Sequence, residues 1–200
     1  MTKNNKKGFT IIEVVLVLAI AGLIFLMVFI ALPALQRSQR NTRRREDMAR
    51  ILSAINDYQT NNNWKVPIVI NAEGQGEQRS DFVNKYIDET CNAGTKGSSW
   101  TWVTTYDFDC SGDKFRDPDG SVYSMAFAAP GYLSDSNGTG SHFVKWHHDE
   151  GFRKEHRIVL SAKSKCSGKE DAPVLEANGE GEIALVYVLE GGAIYCGDNQ

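Results

Sequence analysis

The feature that most constrains this chain is an uninterrupted apolar run close to its start. Residues 14–35 form 22 consecutive positions without a charged side chain. A helix needs roughly 20 residues to cross the hydrocarbon core of a bilayer, and no comparable run follows Leu35. The pattern therefore predicts one membrane-spanning helix followed by one soluble domain.

One carboxylate, Glu13, stands at the start of this run, inside the stretch KKGFTIIEV. A charge placed in a bilayer is costly, so a glutamate here needs a specific role. A secretory signal peptide, cut near Ala34, is the alternative interpretation of such a start. Signal peptides usually have an apolar region of about 7–15 residues, which is shorter than this run, and Glu13 would interrupt its beginning. The length favours a retained membrane helix.

Charge is divided sharply along the chain. Residues 1–50 carry nine Lys or Arg and three acidic residues, a net charge of +6. Residues 51–200 carry 13 basic and 22 acidic residues, a net charge of −9. An acidic soluble domain argues against a nucleic-acid-binding surface. The positive charge is concentrated in QRSQRNTRRR, just after the apolar run, which predicts a solvated collar at the lipid phosphates.

All four cysteines lie in the acidic part of the chain, and none of them forms a CxxC pair. An even number without metal-ligand spacing predicts two disulfides and an oxidising, extracytoplasmic location. Three pairings are possible, and short loops favour Cys91 with Cys110 and Cys166 with Cys196. Four buried free thiols in a cytoplasmic domain are the alternative.

The orientation of the membrane helix is ambiguous from charges and cysteines alone. Lys3, Lys6 and Lys7 precede the apolar run. A larger basic group follows it: Arg37, Arg40, Arg43, Arg44 and Arg45. Positive-inside counting therefore places the arginine side in the cytoplasm. The cysteines favour the opposite orientation, because they follow the arginines and require an oxidising compartment.

The opening motif carries a family resemblance that settles the orientation. KKGFTIIEV resembles the processing site of type IV pilins and type II secretion pseudopilins. In that family a short basic leader ends in Gly, Phe usually follows, and Glu is the fifth residue of the mature chain. Here these positions are Gly8, Phe9 and Glu13, and the small Ala19 and Gly22 also fit. The resemblance is clear over residues 1–60.

The resemblance implies a route of processing and assembly. The precursor crosses the inner membrane once with its N-terminus in the cytoplasm. A prepilin peptidase cuts between Gly8 and Phe9 and methylates the new amino group of Phe9. The subunit then forms a homopolymer, an extracellular pilus, with the help of an assembly platform and motor ATPases. In the filament Glu13 pairs with the Phe9 ammonium of a neighbouring copy. Snorkelling of Glu13 to the headgroups is the alternative.

The fold that the resemblance implies is α+β, with a long N-terminal helix packed on an antiparallel β-sheet. Its expected parts are a leader over residues 1–8, a transmembrane and assembly half of the helix over residues 9–35, an amphipathic half over residues 36–62 and a globular headgroup over residues 63–200. The amphipathic half is also predicted by apolar residues spaced three and four apart: Met48, Ile51, Leu52, Ile55 and Tyr58. We expect Asn61–Asn63 to end the helix and Pro33 to kink or locally unwind it.

Past residue 63 the pattern changes to that of strands. β-branched and aromatic residues are enriched in several segments separated by Gly, Asp and Asn: SWTWVTTYDF, SVYSMAFAA, HRIVLSAK, EIALVYVL and AIYC. WKVPIVI contains a proline and is at best an edge segment, whereas FVNKYIDE predicts a helical turn. LEGGAIYC predicts a tight Gly-Gly hairpin. A bridge between Cys166 and Cys196 would staple it, which resembles the disulfide-bounded C-terminal region of the family.

Two stretches are weak candidates for metal chemistry. DFDCSGDKFRDPDG begins like a calcium loop, with Asp107, Asp109 and Asp113 as candidate ligands. Pro118 takes the position of the bidentate glutamate, so a polar turn between strands is the alternative. HFVKWHHDE offers further candidate ligands, but without ligand spacing or a nucleophile: His142, His147, His148, Asp149 and Glu150.

The resemblance implies a non-enzymatic structural subunit of a type IV pilus, without a cofactor, that supports adhesion, twitching motility or DNA uptake. Surface receptors or DNA would bind through the fibre, and the arginine group would meet acidic faces of neighbouring subunits. A minor pilin or secretion pseudopilin is the nearest alternative. A membrane-anchored binding protein that never polymerises and a surface enzyme are alternatives from other classes.

Overall fold

The computed structural model describes residues 8–72, 74–79, 81–100, 103–129, 156–168, 174–176, 179 and 181–199. The chain divides into two compact units, Met1–Arg40 and Asn41–Gln200. The first helix, α1, covers Ile11–Asn61 and so contributes residues to both units.

The first unit contains the apolar part of α1, whose large apolar side chains are exposed. By length and composition α1 can cross a membrane, and none of its most apolar window is buried. An apolar surface of this extent needs a bilayer or other apolar helices around it. The helix continues through Pro33, so the chain is not unwound there, and a kink at this position stays a prediction. Proline removes one intrahelical hydrogen bond, and the rest of this 51-residue helix maintains the helical path.

Residues 41–61 of α1 bury one stripe in the second unit. The buried side chains recur at the spacing of an amphipathic helix: Arg44, Met48, Ile51, Ala54, Ile55, Tyr58 and Gln59. The predicted apolar stripe is confirmed, and Arg44 and Gln59 add a buried polar side chain at each end of it. The helix ends at Asn61, as predicted, and in the turn that follows Trp64 N–H donates to the Gln59 carbonyl at 2.8 Å.

The described strands form one large sheet and one two-stranded ribbon. Their bounds are β1 Ile68–Ile70, β2 Gly76–Gln78, β3 Thr95–Trp100, β4 Val103–Asp107, β5 Ser124–Ala128, β6 Arg157–Ala162, β7 Ser164–Cys166, β8 Val174–Glu176, β9 Ile183–Val188 and β10 Ile194–Asp198. The large sheet has the order β1-β2-β4-β5-β6-β9-β10, with β3 paired to β4. β7 pairs with β8, and a short helix, α2, covers Phe82–Tyr86.

The sequence predicts an antiparallel sheet, and the observed sheet is mixed. β2 pairs with β4 in parallel, and so does β5 with β6, where Ser124 lies opposite Arg157. Parallel neighbours need a long crossover connection, which residues 129–156 between β5 and β6 provide. The α+β fold, with a long helix packed on a sheet, is as predicted.

Most of the predicted elements are present. The predicted strand segments contain β4, β5, β6 and β9 and overlap the first part of β10, and β1 lies at an edge of the sheet, as its proline implies. The Gly-Gly turn also joins two strands: Leu189 N–H donates to the Ala193 carbonyl at 2.8 Å, and Gly191 and Gly192 have positive φ values of 97° and 86°. The sequence did not predict β2, β7 and β8, because three-residue strands are too short to show an alternating pattern. Most of β3 was also not predicted, since the predicted segment SWTWVTTYDF begins only at Ser99 and the TKGS stretch before it is poor in β-branched and aromatic residues.

The main core lies between α1 and one face of the large sheet. Successive strand residues point to opposite faces, so Met125 and Phe127 of β5 join the cluster that includes the α1 stripe. Ala126 and Ala128 join a second cluster on the other face. The central strands β5, β6 and β9 are therefore buried on both faces along most of their length.

Two disulfides cross-link the second unit. Cys91 is bonded to Cys110 and Cys166 to Cys196, the pairing that short loops favour. Within the part of the chain that the structure describes there is no free cysteine. The second bond joins β7 to β10, next to the terminal hairpin.

Candidate functional site

The predicted processing residues lie in an exposed segment just before α1. Gly8, Phe9 and Thr10 have no regular structure and are all exposed, Phe9 to 89 %. A Cβ atom added at Gly8 would meet nothing within 4 Å among the described residues. The described part of the fold therefore shows no steric reason for glycine at position 8. Recognition of an extended, accessible segment by another molecule would give one.

Thr10 and Glu13 form a capping box at the first turn of α1. The Glu13 Oε2 atom accepts from the Thr10 N–H at 2.8 Å and from the Thr10 hydroxyl at 2.7 Å. The Glu13 N–H points back at Thr10 Oγ1 at 3.4 Å. This reciprocal pattern satisfies backbone donors that a helix start leaves unpaired. The T-x-x-E spacing of Thr10 and Glu13 is the sequence signal for this cap, and it is absent from the predictions above.

Glu13 thus has a role within its own chain in addition to the predicted role in assembly. Both contacts with Thr10 use Oε2, and among the described residues Oε1 has no hydrogen-bond partner. The carboxylate is fully exposed on the first turn of the helix. One oxygen therefore caps the helix while the other can accept from a donor on another molecule.

Gly22 resembles Gly8 in that no described residue packs close to it. A Cβ atom at Gly22 would meet nothing within 4 Å. Glycine in a helix interior is less favourable than alanine by about 1 kcal/mol, and no contact in the described chain compensates for it. Small residues on apolar helices allow another helix to approach closely. The position therefore fits helix–helix packing between molecules.

A buried ion pair ties α1 to the second unit. Arg44 is 3 % exposed, and its Nε and Nη2 atoms donate to the two carboxylate oxygens of Asp117 at 2.6 and 2.8 Å. This two-bond geometry is the strongest arrangement for an arginine and a carboxylate. Asp117 is fully buried on a turn 73 residues further along the chain. No local pattern could have paired the two residues.

The β9–β10 turn also joins this cluster. Arg44 Nη1 lies 3.1 Å from a carboxylate oxygen of Glu190. The side chain of Asn41 forms a two-way pair with the Glu190 backbone: its Nδ2 donates to the carbonyl at 3.2 Å, and its Oδ1 accepts from the N–H at 3.0 Å. Asn41 and Arg44 of α1 thus bond to two separate loops, one that contains Asp117 and one that contains Glu190. We call Asn41, Arg44, Asp117 and Glu190 the helix clamp.

The charge on Asp117 is stabilised from several directions. Its Oδ2 also accepts from the Tyr187 hydroxyl at 3.1 Å, and its Oδ1 accepts from the Asp119 N–H at 3.1 Å. Burial alone would raise the pKa of Asp117, but the hydrogen bonds from Arg44 and Asp119 and the charge of Arg44 outweigh it and lower the pKa to about 2. The Asp117 carboxylate is therefore ionised at neutral pH, and it holds the pKa of Arg44 above its usual value.

A carboxylate on α1 itself, Asp47, has the opposite electrostatic balance to Asp117. Burial raises the pKa of Asp47, which accepts from the Tyr123 hydroxyl at 2.9 Å and from Arg50 at 2.6 Å. Burial and the nearby carboxylates of Asp47 and Asp117 raise the pKa of Tyr123 as well. The Tyr123 and Tyr187 rings pack edge to face with centroids 5.8 Å apart. The clamp is therefore embedded in aromatic packing.

Gln59 anchors the other end of the buried stripe. It is 1 % exposed, and its Nε2 donates to the Gly181 carbonyl at 2.6 Å. Its Oε1 accepts from Asn199 Nδ2 at 2.9 Å, and Asn199 Oδ1 accepts in turn from the Ile183 N–H at 2.9 Å. The last described residue of the chain is thus bonded to the last turn of α1. With the clamp, these bonds set the position of residues 41–61 along the sheet.

The clamp corrects one interpretation of the arginine group. The sequence pattern predicts Arg44 to be part of a solvated collar or of a contact with neighbouring subunits. Instead Arg44 is buried and paired within its own chain, because its place on the helix faces the core. The adjacent Arg43 and Arg45 point away from the core and are exposed. A contact with lipid or with a neighbouring subunit is available to those two side chains.

The calcium candidates are spread along a loop rather than gathered. Asp107 ends β4, and Asp109 and Asp113 are exposed. In the described part of the chain, carboxylate and imidazole atoms converge at Asp117, Asp119 and His156 instead. There Arg44, Tyr187 and a backbone N–H already occupy the oxygens of Asp117. The arrangement serves an ion pair, and calcium binding at the predicted loop stays a prediction.

The histidine-rich stretch cannot be placed. His142, His147, His148, Asp149 and Glu150 lie outside the described residues.

Comparison with known proteins identifies the start of the chain. Residues 3–29 match the model of the prokaryotic N-terminal methylation motif. No curated protein and no solved structure matches the chain. The matched residues contain the exposed Gly8–Phe9 segment, the capping box and the apolar part of α1 up to Phe29. The chain therefore carries the N-terminal methylation motif, the signature of type IV pilins and pseudopilins.

Proposed function

We propose that this chain is a structural subunit of a type IV pilus, cut after Gly8 and polymerised through its N-terminal helix. The observation that carries the proposal is the methylation motif over residues 3–29, which coincides with the apolar part of α1, where none of the most apolar window is buried. A helix of this kind needs apolar neighbours, and equivalent helices of other copies in a filament core would supply them.

The precursor would first lie in the inner membrane. Residues 14–35 match the hydrocarbon thickness, and the two disulfides of the second unit fit an oxidising, extracytoplasmic side. A prepilin peptidase would then meet Gly8 and Phe9 in an exposed, non-helical segment. An assembly platform and motor ATPases would move the processed subunit from the bilayer into the fibre.

Glu13 would supply the charge partner for the methylated Phe9 ammonium. Cleavage removes Lys3, Lys6 and Lys7 and leaves one ammonium at the start of an apolar helix. In the low dielectric of a filament core that ammonium needs a carboxylate, and Oε1 of Glu13 is available to accept from it. An ion pair in such surroundings is best understood as a determinant of register, because its net contribution to stability is small.

The second unit would form the outer part of the fibre, where adhesion, twitching motility or DNA uptake would take place. The described residues carry a helix clamp and two disulfides, and these are features of a rigid building block. We infer a structural role rather than an enzymatic one from the motif. A minor pilin or a secretion pseudopilin would share the same motif and differ in copy number within the fibre.

The direct test is intact mass and N-terminal sequencing of material sheared from cells. We expect a chain that starts at N-methylated Phe9 and whose mass lacks the thiol hydrogens of both disulfides. A full-length chain found only in membranes would overturn the proposal and favour a membrane-anchored binding protein. A processed chain that stays in the cell envelope under shear would favour a pseudopilin.

A pair of variants tests whether processing depends on the residue at position 8. Gly8→Val should accumulate as uncut precursor in the membrane fraction, because the chain itself has room for the added side chain and only recognition by the peptidase is changed. Gly22→Ala is the matched control, since it also adds a side chain at a glycine, on α1 beyond the cut. It should be processed like the parent chain.

A further inference from the structure

The exposed apolar side chains of the second unit are concentrated in one short segment. Among the described residues after Arg40, the large apolar side chains with high exposure are Trp64 at 75 %, Ile70 at 42 % and Val69 at 37 %. Scattered exposed apolar residues are ordinary, but three within seven positions, one of them a tryptophan, are not. We call residues 64–70 the apolar edge segment.

The fold of this chain does not explain a tryptophan at position 64. Trp64 follows the end of α1 with a φ of 60°, in the left-handed region. Glycine and asparagine adopt this conformation at the end of a helix with little strain, whereas a bulky side chain is disfavoured. The Trp64 side chain is also largely out of contact with the core. Within the described residues neither burial nor backbone preference accounts for tryptophan here, and we infer that its role is a contact with another molecule.

The strand that follows begins with the buried Ile68, and its last two residues are exposed on opposite faces. Val69 and Ile70 are consecutive residues of β1, so their side chains point to opposite faces of the sheet, and both are exposed. β1 is also the last strand at its end of the sheet order. The opposite end is protected, because the Cys166–Cys196 bond and a bond from the Cys166 N–H to Asp198 at 2.8 Å hold β7 against β10. Edge strands without such protection are places where another chain can bind.

The charge of the segment identifies the kind of partner. Lys65 is the sole charged residue between positions 58 and 72, whereas residues 51–200 have a net charge of −9. The segment is therefore an apolar and positive region on an acidic domain. Two acidic domains repel each other unless the contact between them is apolar or of opposite charge, and this segment offers both.

We propose that the apolar edge segment is a subunit contact that docks on the acidic surface of a second copy of this chain. The proposal rests on the proposed function, because polymerisation brings copies together at high local concentration. The contact is heterologous, with the segment of one copy against a different surface of the next, so that it repeats along a fibre. Trp64 is its anchor, since tryptophan is enriched among the residues that dominate binding energy.

The first test compares filaments with detergent-solubilised monomers by hydroxyl-radical footprinting, read by mass spectrometry of the peptide that contains residues 64–70. Oxidation of Trp64 should fall several-fold in filaments relative to monomers. Filaments that start at Phe9 and yet leave Trp64 as reactive as in the monomer would overturn the contact while leaving the pilus proposal intact. The absence of filaments from the parent strain would overturn both.

A photo-crosslinking amino acid placed at position 64 identifies the occupant. In sheared filaments we expect a covalent link to another copy of this chain, with the linked peptide bearing exposed acidic residues. Links to lipid alone, or to a different protein alone, would overturn the choice of a second copy and reassign the segment to that partner.

Two substitutions separate assembly from folding. Trp64→Asn suits the left-handed backbone, so the subunit should remain as stable as the parent chain to urea, while the yield of sheared filaments falls several-fold. Lys65→Glu should lower the yield similarly by reversing the charge. Lys165→Glu, at an exposed position of β7, is the matched control and should leave the yield unchanged. Equal effects of Lys65→Glu and Lys165→Glu would overturn the role of local charge.

Discussion

At the scale of single residues, Glu13 illustrates how one side chain can serve two structures. In the single chain its carboxylate caps α1 through Thr10, and in a filament the same carboxylate would face an ammonium. The cap depends on hydrogen bonding and the pairing depends on charge, so the two roles can be separated by substitution. A glutamine retains the first and removes the second, because Gln also completes a capping box.

We therefore expect Glu13→Gln to be processed, to keep its helix start and to fail in assembly. Thr10→Val removes the cap and keeps the charge, so it should assemble with a frayed first turn and a modest loss of yield. The measurement is the amount of sheared filament for each variant, beside the amount of cut subunit in membranes. If Thr10→Val impaired assembly more than Glu13→Gln, the capping role would be the important one.

Arg44 is the residue whose loss should most affect the second unit. Arg44→Met leaves Asp117 buried and charged without its partner, which costs about 3–5 kcal/mol in comparable cases. Arg43→Met changes an exposed neighbour and should alter the free energy of unfolding by less than about 0.5 kcal/mol. Urea unfolding of the full chain in detergent, followed by near-ultraviolet circular dichroism, measures both. The double variant Arg44→Met with Asp117→Asn should recover part of the loss, because no buried charge remains.

The lowered pKa of Asp117 predicts a specific dependence of stability on pH. Its folded pKa of about 2 lies below the ordinary value of 3.8. The ionised Asp117 carboxylate therefore makes its full contribution to the free energy of unfolding above about pH 5. That contribution falls by about 2 kcal/mol as the pH drops towards 2. The difference in unfolding free energy between the parent chain and Asp117→Asn should narrow by that amount between pH 6 and pH 2. If the difference in unfolding free energy stayed constant over this pH range, the lowered pKa of Asp117 would be contradicted.

At the scale of elements, two close contacts of the sheet differ in how readily they accept an added side chain. Gly76 of β2 approaches the backbone of β5 so closely that an added Cβ would lie 2.6 Å from the Ala128 carbonyl carbon. Gly197 of β10 approaches α1, where an added Cβ would lie 2.7 Å from the Leu52 Cδ1 atom. The first contact is to backbone, which cannot yield without moving β5. The second is to the end of a flexible side chain, which can rotate away.

Gly76→Ala should consequently destabilise the protein more than Gly197→Ala. We expect about 1–3 kcal/mol for Gly76→Ala, as for overpacked cores, and a smaller effect for Gly197→Ala. Thermal unfolding of the two full-length variants side by side is the appropriate measurement. A larger effect at Gly197 would indicate that the packing of β10 on α1 is less adaptable than the contact suggests.

At the scale of the whole molecule, the disulfides are global constraints. Cys166–Cys196 joins residues 30 positions apart and Cys91–Cys110 joins residues 19 apart. In the chain-entropy model, loops of this size contribute about 3 to 4 kcal/mol each by restricting the unfolded chain. The bond at Cys166 also fixes β10, whose neighbour Asn199 is bonded to Gln59 of α1. Its effect therefore extends to the helix.

Replacing Cys166 and Cys196 by serine should destabilise the second unit by about 3 to 4 kcal/mol and increase hydrogen exchange in the last turn of α1 around Gln59. Replacing Cys91 and Cys110 should cost a similar free energy without the added exchange at that turn. Hydrogen exchange read by mass spectrometry distinguishes the two. The same exchange pattern in both variants would contradict the inferred role of Asn199 in holding the last turn of α1.

The sequence by itself determined the features that depend on local composition and on spacing. The apolar run defined the membrane-length helix, the stripe from Met48 to Tyr58 defined its buried side, and KKGFTIIEV defined the methylation motif. The strands β4, β5, β6, β9 and β10 were visible because their residue types favour extended chain. Such signals are contained within a few neighbouring residues, so one chain suffices to reveal them.

Only the tertiary structure decided which distant residues meet. The pairing of Arg44 with Asp117, of Gln59 with Asn199 and of β5 in parallel with β6 joins parts of the chain that share no local pattern. Arg44 reads in the sequence as one of five similar arginines, and burial against a carboxylate alone distinguishes it. The exposure of Trp64 is likewise invisible in a sequence, because it depends on what the rest of the fold leaves uncovered.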